Sequence, residues 1–369
     1  MKRIISLILA LTACLFVIFG FMYVRRSGLL KAYPDAVYMP EDITQTRIAY
    51  MSLGEREKAV YTALYNGISR QSEYIELPFE IDGDTYEKIY FNIEKQEPEF
   101  FYLASDFYSA EKIRTAQIIY RDASDDMKSA LELSRMKILD SVKNSDDYEK
   151  LLYIHDYLTE NCKYIESGVE NIDNAYGCLV DKNANCEGYA KAFKYICDGL
   201  NIPCAVTVGN SFDGRNHAWN QVQLDGEWYN VDVTWDDCDD EFVGVHTYFL
   251  CDDKDFASHY PDSELMPVFE CTSYNRNYYV KSNCFIRTQN DAERILAERL
   301  KDISGNIELK FSDDYTYNEF KNVYITNQRI FDILSESNPD VLNNQISCFM
   351  KEFEGNCIIV LRIKCTEST

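Results

Sequence analysis

The chain has 369 residues, which is too long for one hydrophobic core and allows two or three domains. It carries 61 acidic and 37 basic residues, giving a net charge of −24 and a sequence pI near 4.6. Such a surface repels nucleic acid and anionic lipid, so no nucleic-acid partner is predicted. It is compatible with cationic or lysine-bearing partners, although a gain in solubility accounts for it better.

The first 30 residues are typical of a membrane segment. Residues 4–24 form an almost uninterrupted apolar run with two basic residues on each side. The run is long enough to span a bilayer, whereas a signal-peptide core has roughly 7–15 apolar residues. We therefore predict a retained single-pass anchor in the cell membrane, with the body of the protein extracytoplasmic. Alternatively, residues 11–14 resemble a bacterial lipobox, in which Cys14 would be lipidated.

Residues 31–144 combine helical and extended patterns. The predicted elements are helices at 53–69, 85–97 and 125–142, and strands at 74–81, 100–103 and 113–120. This region contains no catalytic constellation. We expect it to pack on the following core and to narrow its cleft.

The chain has only four histidines. His155 lies on the apolar stripe of a helix that begins at Ser145, which favours a hydrogen-bonded core residue. His246 leads into a predicted strand at 247–251, and His259 falls in a predicted polar loop. The fourth histidine, His217, is the one for which the sequence predicts a carboxylate partner.

A short amphipathic helix over residues 186–200 begins at a cysteine. Its apolar residues recur three and four positions apart, and Asn185 is a good N-cap type. Cys186 therefore lies in the first turn, on the buried stripe. A thiol at a helix N-terminus has its anionic form stabilised by the helix dipole and the free N–H groups, so Cys186 is a candidate nucleophile.

A β-hairpin follows this helix. A two-residue loop at Asp225-Gly226 places His217 opposite Thr234, and Asp232 lies two residues from Thr234 on the same face. That diagonal is about 7–8 Å at the backbone, within reach of an imidazole and a carboxylate that lean together. The opposite face is predicted to be core and contains Val222, Leu224, Tyr229, Val231 and Val233.

A thiol, an imidazole and a carboxylate are the groups that thiol acyl transfer requires. They occur here in N-C-E-G-Y-A-K-A-F, R-N-H-A-W-N-Q-V and G-E-W-Y-N-V-D-V-T-W-D-D, in that order. These motifs resemble the transglutaminase-like superfamily, in the bacterial branch that also includes cysteine peptidases. The resemblance covers roughly residues 145–253. It implies a papain-like α+β core in which Cys186 is the nucleophile, His217 the base and Asp232 the orienting acid.

Three further residues are weaker candidates. By resemblance, Tyr176 lies near where some members place an oxyanion-stabilising side chain. Trp219 and Trp228 share the polar face of the hairpin with His217. They are predicted to line the substrate cleft, either as a tunnel for a lysine side chain or as walls for a peptide.

No metal site and no cofactor are predicted. A zinc site at the candidate triad lacks any supporting C-x-x-C or H-x-x-x-H spacing. The acidic run at 236–241 lacks the ligand pattern of an EF-hand and is predicted to be a solvated loop at the cleft rim. Thirteen cysteines cannot all pair, and no required disulfide is predicted.

The C-terminal region resembles a small α/β accessory domain. Its predicted elements are strands at 278–280, 307–311 and 358–363, and helices at 291–300 and 328–335. The predicted division is a membrane anchor at 1–30, a mixed α/β region at 31–144, a transglutaminase-like catalytic domain at 145–271 and the C-terminal domain at 272–369.

The function expected from these features is that of a membrane-anchored, transglutaminase-like cysteine enzyme of the bacterial cell surface. Its partners would be protein or peptide substrates, whose amides it would attack through a thioester acyl-enzyme. Hydrolysis, as in a cysteine peptidase, is preferred over glutamine-dependent cross-linking. A catalytically idle binding module is the remaining alternative.

Overall fold

A computed structural model describes residues 17–20, 22, 33–237 and 242–367. Most of the predicted anchor, including Cys14, lies outside these residues. No helix within the described ranges has both the length and the apolar character to cross a bilayer.

The N-terminal region packs helices on a two-stranded antiparallel sheet. Its elements are helices α1 Glu41–Thr44, α2 Ile48–Ser52, α3 Glu55–Ser69, α4 Gly83–Gln96 and α5 Asp125–Ser141, and strands β1 Tyr74–Asp82 and β2 Lys112–Gln117. The strand predicted at 100–103 is wrong. Pro98 begins a short 3₁₀ turn there, where its fixed φ and missing N–H suit a first helical position.

The central region carries the candidate site on a helix and a four-stranded sheet of order β7-β6-β5-β8, with all three pairings antiparallel. Its elements are helices α6 Asp147–Asn161, α7 Cys186–Gly199 and α8 Val233–Asp236, and strands β3 Lys163–Tyr164, β4 Asn183–Ala184, β5 Cys204–Ser211, β6 Asn216–Leu224, β7 Glu227–Val231 and β8 His259–Pro261. Helix α7 packs against β5 and β6. The predicted strand at 247–251 is instead a series of turns with one isolated bridge, from Cys251 to Asn230.

The C-terminal region is built on a sheet of order β11-β12-β10-β9. Its elements are helices α9 Tyr278–Lys281, α10 Gln289–Arg299, α11 Asp314–Phe320 and α12 Arg329–Ser337, and strands β9 Phe285–Ile286, β10 Ile307–Phe311, β11 Asn344–Phe353 and β12 Ile358–Glu367. The strand predicted at 278–280 is wrong. Asn277 caps a helical turn there, because its side chain accepts from the N–H of Tyr279.

One hydrophobic core runs through the N-terminal and central regions, and it includes Tyr90 and Ile93 of α4 with Phe193 of α7. A polar contact reinforces it, since the amide of Gln96 bonds both ways to the backbone of Val206 in β5, at 2.6 and 3.0 Å. The side chain thus satisfies backbone groups that a further strand would otherwise pair. A separate core fills the C-terminal region. The mixed helices and sheets agree with the predicted α+β class.

Candidate active site

Cys186 is the first residue of α7 and is half-buried. The side chain of Asn185 caps the helix by accepting from the N–H groups of Glu187 and Gly188, at 3.0 and 3.1 Å. A Cβ at Gly188 would lie 2.2 Å from the carbonyl oxygen of Ile172, so only glycine lets this first turn pack so closely. The thiol therefore sits at the positive end of a fixed helix dipole.

A ring of ion pairs holds this end of α7 against α4. Lys95 contacts Glu187 at 2.6 Å and Glu94 at 2.8 Å, and Lys191 contacts the same two carboxylates at 2.7 and 2.6 Å. Glu94, Lys95 and Lys191 are buried. Each charge of the ring has two partners of opposite sign, so removing one would leave two of the others with a single partner each. The ring thus fixes the turn that carries Cys186.

His217 and Asp232 form a buried hydrogen-bonded pair, with Nε2 of the imidazole 2.6 Å from Oδ2 of the carboxylate. The hairpin has the register expected from its turn, in which Asp225 and Gly226 both have positive φ, and Leu224 pairs with Glu227. The structure thus brings together His217 and Asp232, which the predicted register placed on one face of the hairpin.

The second strand of the hairpin, predicted to pair as far as Thr234, ends earlier, at Val231. After Val231 the chain turns into α8, and Asp232 caps that helix through Oδ1, which accepts from the N–H groups of Thr234 and Trp235 at 3.0 and 3.2 Å. One carboxylate oxygen therefore holds the backbone while the other holds the imidazole.

The electrostatics favour a charged imidazole. Burial opposes protonation of His217, but Asp232 and the Cys186 thiol outweigh burial and raise the pKa of His217 to about 10. Burial alone would raise the pKa of Asp232, yet His217 and His259 hold that pKa well below the usual range of a carboxyl group. Because Nε2 of His217 faces Asp232, Nδ1 is left for the thiol.

His259 is a site residue that the sequence reasoning missed. The prediction of a polar loop is wrong: His259 begins β8, pairs with Ser211 and is buried. Its Nε2 lies 2.9 Å from Oδ2 of Asp232, the same oxygen that His217 contacts. No local signal marks this role, because the partner is 27 residues away and is reached through a strand of only three residues.

The two tryptophans predicted to line the cleft lie elsewhere. Trp219 is 2% exposed and packs beside His217, with ring centroids 6.0 Å apart, in a small aromatic cluster. Trp228 stacks on Phe269 at 3.9 Å. Trp235, which was not predicted as a site residue, is the tryptophan at the cleft, and its ring stacks on that of His217 with centroids 5.1 Å apart.

Tyr176 is also displaced from its expected position. Its ring stacks on Phe101 of the N-terminal region, with centroids 5.1 Å apart, and it is not among the residues that line the cleft. Tyr164 of β3 does line the cleft, close enough to Cys186 for the charge of the thiol to act on its hydroxyl. The oxyanion role suggested for Tyr176 therefore has no support from its position.

The cleft beside Cys186 has a volume of about 980 Å³. Phe91 and Lys95 of α4 form part of its wall, so the N-terminal region narrows it as expected. The rest of the wall comes from β3 and the residues after it, the first turn of α7, the end of β5, the start of β6, the start of α8 and the segment after β8. The acidic side chains in it are Glu166, Glu187, Asp237 and Asp262, and the basic ones are Lys95 and Arg215.

The acidic run after the hairpin is not one solvated loop. Asp236 is fully buried, bonds to His155 and accepts from the N–H of Tyr248, and burial raises its pKa to about 6. Asp237 accepts a hydrogen bond from Tyr189 and lines the cleft. The rest of the run lies outside the described residues.

Among the residues that the structure describes, two groups of side chains have the atom types of a metal site, with their ligand atoms within 4.8 Å of one another: His155, Asp156 and His246, and His217, Asp232 and His259. In each group the two imidazoles bond directly to one carboxylate oxygen. Hydrogen bonds thus account for the short distances in both groups. All cysteines that the structure describes are unpaired.

Comparison with curated proteins identifies relatives of part of the chain. It is 29% identical over 167 residues to the kyphoscoliosis peptidase of Mus musculus, which covers 38% of this chain and 25% of the relative. It is 31% identical over 130 residues to the kyphoscoliosis peptidase of Homo sapiens, and that match covers 29% of this chain and 20% of the relative. The matched part thus spans a quarter or less of the length of these relatives.

A solved structure described as a TGase is 15% identical and covers 44% of this chain and 50% of its own, with a TM-score of 0.28, too low to carry an argument. The family match is more direct. Residues 137–233, which include Cys186, His217 and Asp232, match the transglutaminase-like superfamily. This chain therefore carries a domain of the transglutaminase-like superfamily.

Proposed function

We propose that the protein is a cysteine hydrolase that cleaves protein or peptide amides through Cys186, His217 and Asp232. The observation that carries this proposal is the 2.6 Å bond between His217 and Asp232 beside a thiol at a helix N-terminus, on the wall of a cleft of about 980 Å³. Thiol, imidazole and carboxylate are each oriented by a separate contact, as acyl transfer requires.

In this mechanism the Cys186 thiolate attacks the amide carbonyl and forms a tetrahedral oxyanion. When the C–N bond breaks, the His217 imidazolium gives its proton to the leaving amine, and a thioester remains on the sulfur. Neutral His217 then takes a proton from water, whose oxygen attacks the thioester. The C–S bond then breaks, the carboxylic acid leaves, and the starting pair of Cys186 thiolate and His217 imidazolium is restored, while Asp232 holds the ring in orientation during both proton transfers.

Transfer to a second amine instead of water would make the protein a cross-linking enzyme. Water is present at about 55 M, so an amine acceptor competes only when the site binds and orients it. Trp219 and Trp228, the residues predicted to form a lysine tunnel, do not line the cleft, which supports hydrolysis. The acidic side chains of the cleft favour the cross-linking alternative, because they attract a lysine ammonium group.

The experiment offers both reactions to the protein. It is incubated with a fluorescent primary amine and a glutamine-bearing protein, and separately with a peptide library, and products are identified by mass spectrometry. We expect cleaved peptide bonds with the wild type and none with Cys186→Ala. Amine incorporation without cleavage would establish the cross-linking alternative, and binding without turnover would establish an idle module.

We also propose that residues 4–24 anchor the protein in the cell membrane with its body outside. This proposal rests on the apolar run and its basic flanks. Membrane fractionation with protease treatment of intact cells tests it, and the expected result is a membrane-bound protein that external protease degrades. A Cys14→Ala variant that leaves the membrane would show instead that lipidation provides the attachment.

A further inference from the structure

We propose that His259 is a positioning residue of the active site, which holds the Asp232 carboxylate and through it the ring of His217. The proposal deepens the proposed function and rests on it. It starts from the shared oxygen: Oδ2 of Asp232 lies 2.6 Å from Nε2 of His217 and 2.9 Å from Nε2 of His259.

The Asp232 carboxylate is held at four points. Oδ1 accepts from the backbone N–H groups of Thr234 and Trp235, and Oδ2 accepts from the two imidazoles. A carboxylate has about four lone-pair sites, so this set leaves none for water or for a rotated arrangement. Asp232 is 1% exposed, which makes each of these bonds costly to lose.

The neutral state of His259 makes its ring a constant hydrogen-bond donor to Asp232. Burial lowers its pKa and outweighs the opposing effect of Asp232, so the ring is neutral at neutral pH and carries one N–H. The Asp232 carboxylate can only accept, so the single proton of the neutral ring lies on Nε2, facing Asp232, and Nδ1 is left to accept from the hydroxyl of Ser258 at 3.3 Å. His259 thus donates one fixed hydrogen bond, while His217 loses and regains a proton in each cycle.

An aromatic box fixes the ring of His259 in place. Phe256 stacks on it at 3.6 Å and Trp235 lies at 4.2 Å, while Trp219 and Tyr248 meet it edge-on at 5.1 and 5.6 Å. A ring packed on several sides cannot rotate away from Asp232 without disturbing its neighbours.

The backbone that carries His259 is fixed as well. Strand β8 lies so close to β5 that a Cβ at Gly209 would be 2.1 Å from the carbonyl oxygen of Tyr260. Glycine at position 209 therefore permits the pairing of β8 with β5 that brings His259 within hydrogen-bonding distance of Asp232. Positioning by such a supporting residue is expected to act on turnover more than on substrate binding, because it acts through the base.

A purely structural role would be to fill the aromatic box, and two substitutions separate it from positioning. His259→Phe keeps an aromatic ring but removes the donor, whereas His259→Gln keeps an N–H donor of similar reach and removes the ring. If His259 only fills the box, the Phe variant should be both more stable and more active than the Gln variant. If His259 positions Asp232, the Phe variant should still be the more stable of the two, but the Gln variant should be the more active.

We expect His259→Phe to lower kcat by about 10–100-fold with KM changed by less than about 2-fold, a typical effect of losing an outer supporting hydrogen bond. His259→Gln should recover most of kcat despite a lower melting temperature. Wild-type kcat in His259→Phe, or an activity in Gln below that in Phe, would overturn the proposal.

Two measurements do not depend on turnover and separate this proposal from the proposed function. The rate at which iodoacetamide alkylates Cys186 at neutral pH should fall in His259→Phe and recover in His259→Gln, even if no substrate is ever cleaved. Equal alkylation rates in wild type and His259→Phe would contradict the positioning role of His259 and leave the proposed function intact. Selective ¹⁵N labelling of the four histidines of the wild-type chain should show neutral His259 protonated on Nε2, and protonation on Nδ1 would contradict it.

Discussion

Two groups of side chains in the described part of the molecule share one arrangement, in which a single carboxylate oxygen bonds two imidazoles. In the first, Oδ2 of Asp232 contacts His217 and His259. In the second, Oδ1 of Asp156 contacts His155 at 3.0 Å and His246 at 2.9 Å. We call the first the cleft group and the second the interface group.

Their surroundings differ. The cleft group adjoins the Cys186 thiol and a cleft of about 980 Å³. In the interface group, the remaining nitrogen of His246 lies 2.7 Å from Glu308 of the C-terminal region, and that of His155 lies 3.1 Å from Asp236. Every ring nitrogen there has a carboxylate partner, so none is left to move a proton to or from a substrate.

The comparison teaches that a histidine–carboxylate pair with a raised pKa does not by itself identify a catalytic site. The pKa values of His217 and His246 are both raised to about 10, in each case because a neighbouring carboxylate outweighs the effect of burial. A nucleophile and access for a substrate distinguish the cleft group. The interface group instead joins α6, α8 and β10.

The largest expected effect is at the nucleophile. Cys186→Ala should lower kcat by at least about 10³-fold, because the thioester cannot form, with the melting temperature within about 2 °C of wild type. Cys197→Ala, on the same helix but fully buried, is the matched control and should lose stability while it keeps its activity. Full turnover without Cys186 would exclude the thiol mechanism.

Asp232→Asn comes next, with an expected loss of about 10²–10⁴-fold in kcat. Asparagine can still cap α8 through its carbonyl oxygen, but its amide N–H group would face the N–H groups of His217 and His259. The imidazoles must then change tautomer or turn away. Steady-state kinetics with circular dichroism measure this, and a loss below about 5-fold would show that the carboxylate is not needed to orient the base.

Glu308→Gln tests the interface group. It removes a buried charge that accepts from the ring and backbone of His246 and from the hydroxyl of Tyr279. The free energy of unfolding should fall by about 2–4 kcal/mol, while kcat per folded molecule stays within about 2-fold. Glu298→Gln, at an exposed pair with Lys301, is the control and should change neither. A selective loss of kcat in Glu308→Gln would contradict a purely structural role.

The smallest expected effect is a change in pH dependence. A histidine with a raised pKa stabilises the fold fully below its unfolded value of about 6.5, and this stabilisation is lost as the pH rises through about 10. His217 and His246 each contribute a slope of at most about 1.4 kcal/mol per pH unit in that window. Urea unfolding between about pH 6 and 10 should give a shallower decline in Glu308→Gln, since His246 has lost a partner. Parallel curves would contradict this.

Local patterns predicted the parts of the site that depend on local geometry. The cap at Asn185 placed the thiol, and the Asp225-Gly226 turn set the register that brings His217 to Asp232. The cleft followed from the same helix and hairpin.

Contacts distant in sequence could not be predicted in this way. His259 reaches the site through the pairing of β8 with β5, and His246 finds its partner 62 residues further along the chain. The prediction that Trp228 lines the cleft is wrong, because the hairpin register fixes the face on which Trp228 lies but does not show that Phe269 packs over that ring. The domain boundaries and the membrane anchor stay predictions.

Competitive alkylation tests most directly whether the cleft group activates its thiol. Cys348, Cys357 and Cys365 are half-buried like Cys186, and none belongs to either histidine–carboxylate group. Burial raises the pKa of Cys348, and burial with Asp314 raises the pKa of Cys357 to about 11, so Cys365 is the reference for exposure and the other two are additional controls. The protein is treated with substoichiometric iodoacetamide at neutral pH, and modified cysteines are identified by peptide mass spectrometry. Modification of Cys186 well before the other three, with this preference lost in His217→Ala, is the predicted result. Equal modification of the four thiols, or a preference that survives without His217, would contradict an activated cysteine.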